Sequence, residues 1–570
     1  MVNFKQEIAK LIAKQVTDLE PAEIQSMIEV PQDAKMGDYA FPCFKLAKVM
    51  RKAPPLIAKG IAEGMQDAPL FEKVEQVNAY VNMFISKEEF VKDVVEDVLQ
   101  KEGEYGKTNI GGGIPVIVEF SSPNIAKPFH IGHIRSTVIG NSIYKIYDAM
   151  GYKVTRINHL GDYGTQFGKM IVAYRRWGNE EDVKREPIKT LLYYYTKFHV
   201  EAEKDPTLED EARATFTRLE HGEPEETKLW QWFRDESLKE FTRVYDMLGI
   251  SYDSYAGESF YSDKMPAIVE ELKKKNLLVE SKGAMIVDLE PYGLTPAPIL
   301  KSDGSTLYIT RDLACAKYRK DTYNFYKNIY VVASQQNLHF QQLKKILELM
   351  GYEWAKDIIH VPFGLVSLED GTMSTREGRV VFLEDVLNRA IAETRDIIRE
   401  KGVATDNIEE TAKQVGVGAV VFNELSNNRI KDYVFSWDKV LDFNGETGPY
   451  VQYTYARSAS ILRNAGEEAV SKARGTINPS YITGESAYAL AKLVYKLPEV
   501  VIEAGEKYEP SIVTRHIVDI AQAFNRFYHD EHILVDNEEE RSAKLALVIA
   551  AKTAIKNGLA LLGMEAPERM

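Results

Sequence analysis

The stretch that decides the fold is Val116-Ile-Val-Glu-Phe120, followed by Ser121-Ser-Pro-Asn124 and a periodic segment that ends at Gly151. The run of β-formers predicts a strand, and Ser-Pro-Asn predicts a turn. Apolar residues at 139, 143, 146, 147 and 150 mark one face of a helix, which Gly151 is suited to end. A second strand is expected at Lys153–Asn158. Together these elements predict a βαβ unit of a parallel sheet, which binds ligands beyond the carboxyl ends of its strands.

The same pattern returns further along the chain. Asn328–Ala333 is expected to form a buried strand, Leu338–Met350 a helix, and Asp357–Val366 another strand. A Glu-rich segment near 185–250 interrupts the two parts and is predicted to be a helical insertion. The expected fold class is therefore α/β, with a Rossmann-like parallel-sheet core that carries an insertion.

The length of 570 residues predicts more than one domain. Residues 1–110 mix helical and strand patterns and close on the turn-prone run 106–113, which predicts an N-terminal α+β domain. Residues 111–380 hold the α/β core. Residues 381–570 show mainly helical periodicity, which predicts an all-α C-terminal domain.

Composition excludes several classes of protein. Only two cysteines are present, Cys43 and Cys315, so a disulfide framework is excluded, and no segment has the apolar length of a membrane span. A cytoplasmic protein without membrane contact is expected. The net charge of -14 disfavours nucleic-acid binding, but segment 201–240 holds 13 acidic and 6 basic residues, which account for half of the excess. A basic surface elsewhere stays possible.

The strongest candidate site is Ser122-Pro-Asn-Ile-Ala-Lys-Pro-Phe-His-Ile-Gly-His133, at the predicted turn from strand to helix. A helix N-terminus offers free N–H groups to phosphate, and His130 and His133 lie one turn apart, so both can donate to one oxyanion. Gly132 leaves room for a nucleotide. The alternatives are a half-formed metal site or two satisfied polar residues. The absence of neighbouring Cys, His or carboxylate residues in this turn favours the phosphate site.

His130-Ile-Gly-His133 matches the HIGH signature of class I aminoacyl-tRNA synthetases, and the wider sequence resembles the arginyl-tRNA synthetase family. The similarity continues in ordered blocks along nearly the whole chain: Asn158-His-Leu-Gly-Asp-Tyr-Gly-Thr-Gln-Phe-Gly168, Tyr308-Ile-Thr-Arg-Asp-Leu313, Val331-Val-Ala-Ser-Gln-Gln-Asn-Leu-His-Phe340, Gly445-Glu-Thr-Gly-Pro-Tyr-Val-Gln-Tyr453 and Met564-Glu-Ala-Pro-Glu-Arg-Met570.

This resemblance implies an enzyme that joins L-arginine to tRNA(Arg) through an arginyl-adenylate, using ATP with Mg²⁺. It implies a monomer whose N-terminal domain binds the tRNA elbow and whose C-terminal domain binds the anticodon. The implied ATP site comprises His130, His133, Gly161, Asp162, His339, Met373 and Ser374. The implied arginine site comprises Glu119, Ser122, Asn124, Tyr308, Asp312 and Gln336. The implied tRNA contacts are Tyr450, Tyr453, Arg457 and Met570.

One block departs from the class pattern. Class I enzymes usually carry the loop Lys-Met-Ser-Lys-Ser, whereas this chain has Thr372-Met-Ser-Thr-Arg376 and lacks both lysines. The lost positive charge should weaken stabilisation of the leaving pyrophosphate unless another cation replaces it. Lys127, three residues before His130, and Arg376 in the loop itself are the expected catalytic cations. The alternative for Lys127 is an ordinary exposed lysine.

Two predicted substrate contacts also have ordinary explanations. Glu119 in the apolar strand could face solvent, and Arg311–Asp312 could be a helix-capping pair. At the level of function, two rivals remain open. One is a nucleotidyltransferase with the same signature that makes an adenylate without tRNA, and the other is a non-catalytic RNA-binding paralogue. The nearly 200 residues after the second signature loop count against the first, and the intact histidines, Asp312 and Gln336 count against the second.

Overall fold

The computed structural model describes residues 3–16, 19–302, 304–368, 381–400, 407–442 and 445–570. The chain divides into two compact units. One comprises residues 1–105, 457–497 and 519–557, and the other comprises residues 106–456, 498–518 and 558–570. Within the described ranges, no helix is both long enough and apolar enough to cross a membrane.

The first unit begins with a small antiparallel sheet flanked by helices. Its sheet has the order β1-β3-β2, and aromatic rings of Phe4, Phe90 and Tyr495 pack in its core with centroids 5.2 to 5.5 Å apart. The elements up to Lys101 are α1 (Phe4–Ala13), α2 (Pro21–Met27), β1 (Tyr39–Pro42), α3 (Leu46–Met50), α4 (Pro54–Met65), β2 (Phe71–Val77), β3 (Tyr80–Ile85) and α5 (Lys87–Lys101). The mixed α and β character expected for this region is confirmed.

The second unit is built on a four-stranded parallel sheet. Its elements are β4 (Pro115–Glu119), α6 (Ile134–Ala149), β5 (Lys153–Ile157), the insertion helices α7 (Thr165–Trp177), α8 (Glu180–Arg185), α9 (Pro187–Lys204), α10 (Thr207–Glu220) and α11 (Pro224–Leu248), then α12 (Met265–Lys274), β6 (Leu278–Ser281), β7 (Ala284–Val287), β8 (Ala297–Leu300), α13 (Tyr308–Tyr323), β9 (Lys327–Ala333), α14 (Asn337–Leu349) and β10 (Ile358–Phe363). The sheet order is β10-β9-β4-β5.

Both predicted βαβ units are confirmed. Strand β4 pairs in parallel with β5 on one side and with β9 on the other, and β9 pairs with β10. The apolar face predicted for α6 is buried, and Gly151 follows the helix with a φ of +84°, a conformation that glycine adopts without strain. Because the strands are parallel, the loops after β4, β5 and β9 meet at one edge of the sheet.

The antiparallel sheet β6-β7-β8 was not expected from the sequence. Its strands have only four residues each, which is too short for the period of two to stand out. The sheet packs its apolar side chains into the same hydrophobic cluster as α12 and α13. Along the chain, this sheet comes after the insertion and before the second half of the parallel sheet.

The described residues after 381 are mainly helical, as predicted, and include one short strand. Its elements, with the strand that precedes them, are β11 (Val366–Leu368), α15 (Leu383–Glu400), α16 (Ile408–Ser426), β12 (Tyr433–Phe435), α17 (Trp437–Val440), α18 (Gly448–Ala465), α19 (Glu467–Ala473), α20 (Glu485–Lys507), α21 (Ser511–Asp530) and α22 (Glu538–Leu561). The expectation of an all-α region overlooked β12, which pairs in parallel with β11. Three residues are too few to carry a strand pattern.

Eight short 3₁₀ helices complete the described elements: Ala34–Met36, Glu102–Glu104, Ile131–His133, Glu258–Lys264, Glu290–Tyr292, Ser334–Gln336, Glu353–Asp357 and Pro479–Ile482. Two of them lie in the segments that follow β4 and β9, whose loops meet at one edge of the sheet. Ile131–His133 leads into α6, and Ser334–Gln336 leads into α14.

Candidate active site

The turn between β4 and the two histidines holds an uncommon backbone conformation. Ser121, Ser122 and Ala126 have φ angles of +70°, +48° and +58°, in the left-handed region that disfavours residues with a Cβ atom. Such residues cost on the order of 1–3 kcal/mol each and persist only where surrounding contacts impose them. The turn is therefore held by the residues around it.

A buried hydrogen-bond network supplies these contacts. The Ser121 backbone N–H donates to Ser136 Oγ at 2.9 Å, and Ser121 Oγ lies 2.8 Å from both Thr137 Oγ1 and the Tyr245 hydroxyl. Asn158 Nδ2 donates to the same Tyr245 hydroxyl at 2.9 Å. Ser136 and Thr137 lie on α6, whereas Tyr245 lies on α11. The insertion thus helps to shape the turn, a role that the sequence did not reveal.

The histidines of the signature lie side by side on this turn. Their ring centroids are 4.0 Å apart. The Gly132 backbone N–H donates to His130 Nδ1 at 3.1 Å, and the His130 backbone N–H donates to His133 Nδ1 at 3.1 Å. Since each Nδ1 accepts a hydrogen bond, the neutral ring carries its proton on Nε2. Both rings therefore hold an Nε2–H donor.

Burial keeps both rings neutral. It lowers the pKa of His130 from 6.5 to about 4. Burial also lowers the pKa of His133 to about 3, with a further contribution from the neighbouring His130 and the positive charge of Lys127. At neutral pH the pair supplies two uncharged donors in fixed positions, as transition-state stabilisation of an oxyanion requires.

Lys127 lies close to these histidines, as its effect on the pKa of His133 shows. Its Nζ is 5.9 Å from the ring centroid of Tyr195 on α9, and the side chain is only partly exposed. The Lys127 side chain thus lies near the signature turn and is partly exposed. Its role as the cation that replaces the loop lysines stays a prediction.

The loop after β5 approaches this turn through backbone contacts. Gly161 N–H donates to Pro123 O at 3.1 Å, and Ile125 N–H donates to Gly161 O at 3.2 Å. A Cβ atom at Gly161 would collide with Asn124 Oδ1, so only glycine permits this close approach. Asn124 itself is exposed.

Asp162, predicted to border the nucleotide, is buried and already bonded within the protein. Its carboxylate accepts from the Ser259 backbone N–H at 2.8 Å and from Ser259 Oγ at 2.9 Å, and it pairs with Arg234 Nε at 3.2 Å. Its carboxylate thus ties the loop after β5 to α11 and to the 3₁₀ helix Glu258–Lys264.

Glu119 lies at the carboxyl end of the central strand and is 5% exposed, so the interpretation as a solvent-facing strand residue is wrong. Its Oε2 is 2.5 Å from Nη1 of Arg319, which is fully buried. The Arg319 guanidinium also lies 5.3 Å from the ring centroid of Tyr330. Arg319 was missed in the sequence because it is 200 positions away and sits within a helical pattern of ordinary polarity.

Tyr308 and Asp312 lie four residues apart on α13 and therefore share a face of the helix. Tyr308 is 61% exposed, and the Asp312 side chain is 31% exposed, so a ligand can reach both. The helix begins after Leu307, and Leu307 makes no side-chain cap. Asp312 follows the first turn, which makes the interpretation of Arg311–Asp312 as a capping pair wrong.

His339 contacts Asp312 directly. The two side chains form an ion pair in which Nε2 is 2.5 Å from Asp312 Oδ2. Burial alone would raise the pKa of Asp312, but the hydrogen bond from His339 and the charges of His159 and Arg311 hold it below its ordinary value. Burial alone would lower the pKa of His339, but Asp312 raises it above 6.5. No pattern in the sequence predicted this contact.

Arg311 orients the exposed tyrosine. Its guanidinium lies 5.5 Å from the ring centroid of Tyr308 and 4.6 Å from that of Tyr163. Its Nη1 pairs with Glu258 Oε2 at 3.1 Å. Burial raises the pKa of Glu258 to about 7, although Arg311 opposes this shift.

The other predicted arginine contacts lie at the same sheet edge. Gln336 ends the 3₁₀ helix that follows β9, and its side chain is exposed. Ser122 Oγ accepts from the His159 backbone N–H at 3.1 Å. The predicted residues Met373, Ser374 and Arg376 lie outside the described residues. Just after them in sequence, Leu383 N–H donates to Phe129 O at 2.9 Å, and Ile131 N–H donates to Val381 O at 3.0 Å.

A buried ion pair anchors the start of α6. Arg135 Nε is 2.6 Å from Glu424 Oε1, and both side chains are almost fully buried. Tyr433 donates to the second oxygen of Glu424 at 2.5 Å, and Arg135 Nη1 donates to Lys431 O at 2.8 Å. Removal of one member of such a pair leaves an uncompensated buried charge, so the pair fixes α6 against α16 and β12.

The predicted tRNA contacts differ in exposure. Tyr453 is 40% exposed, whereas Tyr450 and Met570 are partly buried. Arg457 donates to Asn525 Oδ1 at 2.6 Å and lies 5.5 Å from the ring centroid of Tyr528.

Within the described part of the chain, no three His, Cys, Asp or Glu side chains are grouped closely enough to hold a metal ion.

Comparison with known proteins shows the family to which the chain belongs. The chain matches the family "tRNA synthetases class I (R), catalytic domain" over residues 94–437, the DALR anticodon binding domain over 451–570 and the arginyl tRNA synthetase N terminal domain over 3–85. Arginine–tRNA ligases of Halothermothrix orenii and Clostridioides difficile are each 58% identical over 570 residues, which cover 100% of this chain and of each relative.

Solved structures show the same fold. The arginyl-tRNA synthetase of Thermus thermophilus superposes with a TM-score of 0.80 at 26% identity and covers 99% of each chain. That of Plasmodium falciparum superposes with a TM-score of 0.77 at 24% identity and covers 100% of this chain and 98% of its own. This second likeness is one of fold.

The fold and the paired histidines thus define a class I aminoacyl-tRNA synthetase, which uses ATP. Within that class the chain belongs to the arginyl-tRNA synthetase family, and its activity is the ligation of arginine to tRNA. The two rival functions find no support in these comparisons.

The histidine geometry predicts an unusual titration. The unfolded chain takes up protons at these rings near pH 6.5, whereas the folded chain does so near 4 and 3. The folded state therefore binds fewer protons, and these two groups destabilise the fold increasingly as pH falls below 6.5. In ¹⁵N-resolved NMR, with assignment by His130→Asn and His133→Asn, both rings should remain Nε2–H tautomers at pH 6. A midpoint near 6.5 or an Nδ1–H tautomer would contradict this geometry.

Proposed function

We propose that the chain performs arginine ligation in two steps at the edge formed by the loops after β4, β5 and β9. The arginine carboxylate attacks the α-phosphate of ATP and pyrophosphate leaves, which forms the arginyl-adenylate. A hydroxyl of the terminal ribose of tRNA(Arg) then takes the arginyl group and AMP leaves. The chain forms no covalent intermediate, so positioning and charge stabilisation supply the rate. The observations that carry this proposal are the pair of neutral Nε2–H donors after β4 and the partly exposed, anionic carboxylate of Asp312 on α13.

The nucleotide is proposed to bind along the signature turn. His130 and His133 donate their Nε2–H groups to phosphate oxygens as negative charge builds in the transition state. Gly161 allows the loop after β5 to lie close to Asn124, and Asp162 holds that loop through Ser259 and Arg234 instead of contacting ATP itself. Mg²⁺ is proposed to enter with ATP, bound through phosphate oxygens and water, as this cation commonly binds nucleotides.

The arginine side chain is proposed to bind at Asp312 and Tyr308. A guanidinium has only donors, so a carboxylate held ionised at low pKa is its natural partner, and the Tyr308 ring offers a face to the planar group. Gln336, Asn124 and Ser122 are proposed to hold the α-amino and carboxylate ends. Arg319 offsets the charge of Glu119, so Glu119 is proposed to act as a hydrogen-bond acceptor and not as a net negative charge.

The remaining domains are proposed to bind tRNA. Residues 1–110 are assigned to the elbow, 111–380 to catalysis and 381–570 to the anticodon. Tyr453 is exposed and is proposed to stack on a base, and Tyr450, Arg457 and Met570 are further proposed contacts. We further propose that the enzyme acts as a cytoplasmic monomer, in keeping with two free, buried cysteines.

The arginine site yields a direct test. Asp312→Asn replaces an acceptor-only group with one that presents donors to a guanidinium, so arginine activation should fall about 30- to 1000-fold, equivalent to roughly 2–4 kcal/mol. The matched control is Asp321→Asn on the same helix, which loses only an exposed pair with Lys317 at 3.1 Å. Activation is measured as arginine-dependent ATP–pyrophosphate exchange. Equal kcat/KM values in both variants would refute the assignment of the pocket.

Lys127 tests the replacement of the missing loop lysines. Lys127→Ala should lower the rate of adenylate formation strongly with little change in KM for arginine, because its partner charge develops on the departing pyrophosphate. Arg376→Ala should have the milder effect, and adding Thr372→Lys to Lys127→Ala should restore part of the rate. The control is Lys189→Ala on α9, which removes an exposed ion pair with Glu186.

Rapid-quench single-turnover measurements separate these possibilities. A Lys127→Ala rate within about threefold of wild type, less than ~0.7 kcal/mol, would make Arg376 the phosphate partner.

A further inference from the structure

The contact between Asp312 and His339 places an imidazole of the protein itself on the Asp312 carboxylate. The proposed function assigns this carboxylate to binding of the arginine guanidinium. His339 Nε2 lies 2.5 Å from Asp312 Oδ2, within hydrogen-bond distance. The side chains are 23% and 31% exposed, so the pair borders open space and is not sealed in the core. An imidazolium N–H here presents what a guanidinium N–H would present: a planar donor with a positive charge.

We infer that His339 is an internal occupant of the guanidinium subsite, which arginine must displace from Asp312 in order to bind. This inference rests on the proposed arginine site. The substrate then binds only the fraction of molecules in which Asp312 has been released, and its apparent affinity is reduced by that fraction. His339 would thus set the affinity for arginine without contacting it.

The position of His339 makes its charge depend on this one partner. It lies in the first turn of α14, where the helix dipole disfavours a cation. Phe340 packs edge-on against its ring, with centroids 5.6 Å apart. When arginine takes Asp312, the imidazole loses the interaction that holds its proton. Arginine binding should therefore release a proton near neutral pH.

Other charged groups also interact with the pair, so their effects on the pH dependence of arginine binding must be distinguished from that of His339. His159, Arg311 and Glu258 also interact electrostatically with Asp312, and burial raises the pKa of Glu258 to about 7. His360 interacts with His339 from β10. Ionisation of Glu258 between pH 6 and 8 would also favour a cationic ligand. A variant that removes only the His339 charge distinguishes the two sources.

The experiment compares the full-length wild type with His339→Gln, which keeps an amide donor but cannot be charged. Equilibrium dialysis with arginine, without ATP, is performed from pH 6.0 to 8.0. The raised pKa of His339 means that the competing cation is lost as pH rises through that pKa. The wild-type Kd should fall about three- to tenfold over this range, whereas the Kd of His339→Gln should be flat and lower at pH 6.0.

The controls make every outcome decisive. His221→Gln, at an exposed histidine bonded to Thr217 O at 2.7 Å, should behave as wild type. Calorimetry in buffers of different ionisation enthalpy should show proton release on arginine binding by the wild type only. A pH dependence retained in His339→Gln would assign it to Glu258 and overturn the inference, as would a flat wild-type profile. Unchanged arginine affinity in Asp312→Asn would instead overturn the proposed arginine site.

A purely structural role for the pair makes a different prediction. If His339 only fixed α14 against α13, His339→Gln would lower the melting temperature while leaving the pH dependence of arginine binding intact. Thermal unfolding of the variant is therefore recorded with the binding data. Lost stability together with a wild-type pH profile would refute the displacement of His339 by arginine.

Discussion

The site depends on the hydrogen-bonded turn that joins β4 to the signature histidines. Ser121 and Ser122 adopt backbone conformations that a free chain would rarely populate, and buried hydroxyl groups from α6 and α11 hold them there. This turn carries Asn124 toward Gly161 and presents His130 and His133 side by side. If the turn relaxed, the two Nε2–H donors would no longer lie side by side, and the preorganised stabilisation of the transition state that we propose for them would be lost.

Side-chain contacts from several elements stabilise the segments around the turn. The Arg135–Glu424 pair fixes the start of α6, and Tyr245 ties the insertion to the turn. Asp162 uses its carboxylate to hold the loop after β5, although its motif suggested a direct contact with the nucleotide. Buried charged groups here thus stabilise the geometry of the loops. The polar residues that we propose to contact the substrates, Tyr308, Asn124 and Gln336, are exposed.

Much of this arrangement could be predicted from the sequence because it is local. The strand, turn and helix around the signature follow from β-formers, Ser-Pro-Asn and the spacing of apolar residues. The contacts that joined distant segments could not be predicted. Glu119 meets Arg319 across 200 positions, and Asp312 meets His339 on the next helix. Single sequences carry no signal for such pairs, because each residue satisfies an ordinary helical or strand pattern by itself.

We propose that this edge of the sheet selects arginine and activates it with ATP. Amino-acid-dependent ATP–pyrophosphate exchange is therefore measured with each of the twenty amino acids, in the presence and absence of tRNA. Exchange with arginine should exceed exchange with every other amino acid, because a guanidinium combines a permanent positive charge with five planar donors suited to Asp312 and Tyr308. Equal or faster exchange with lysine or with an uncharged amino acid would contradict it.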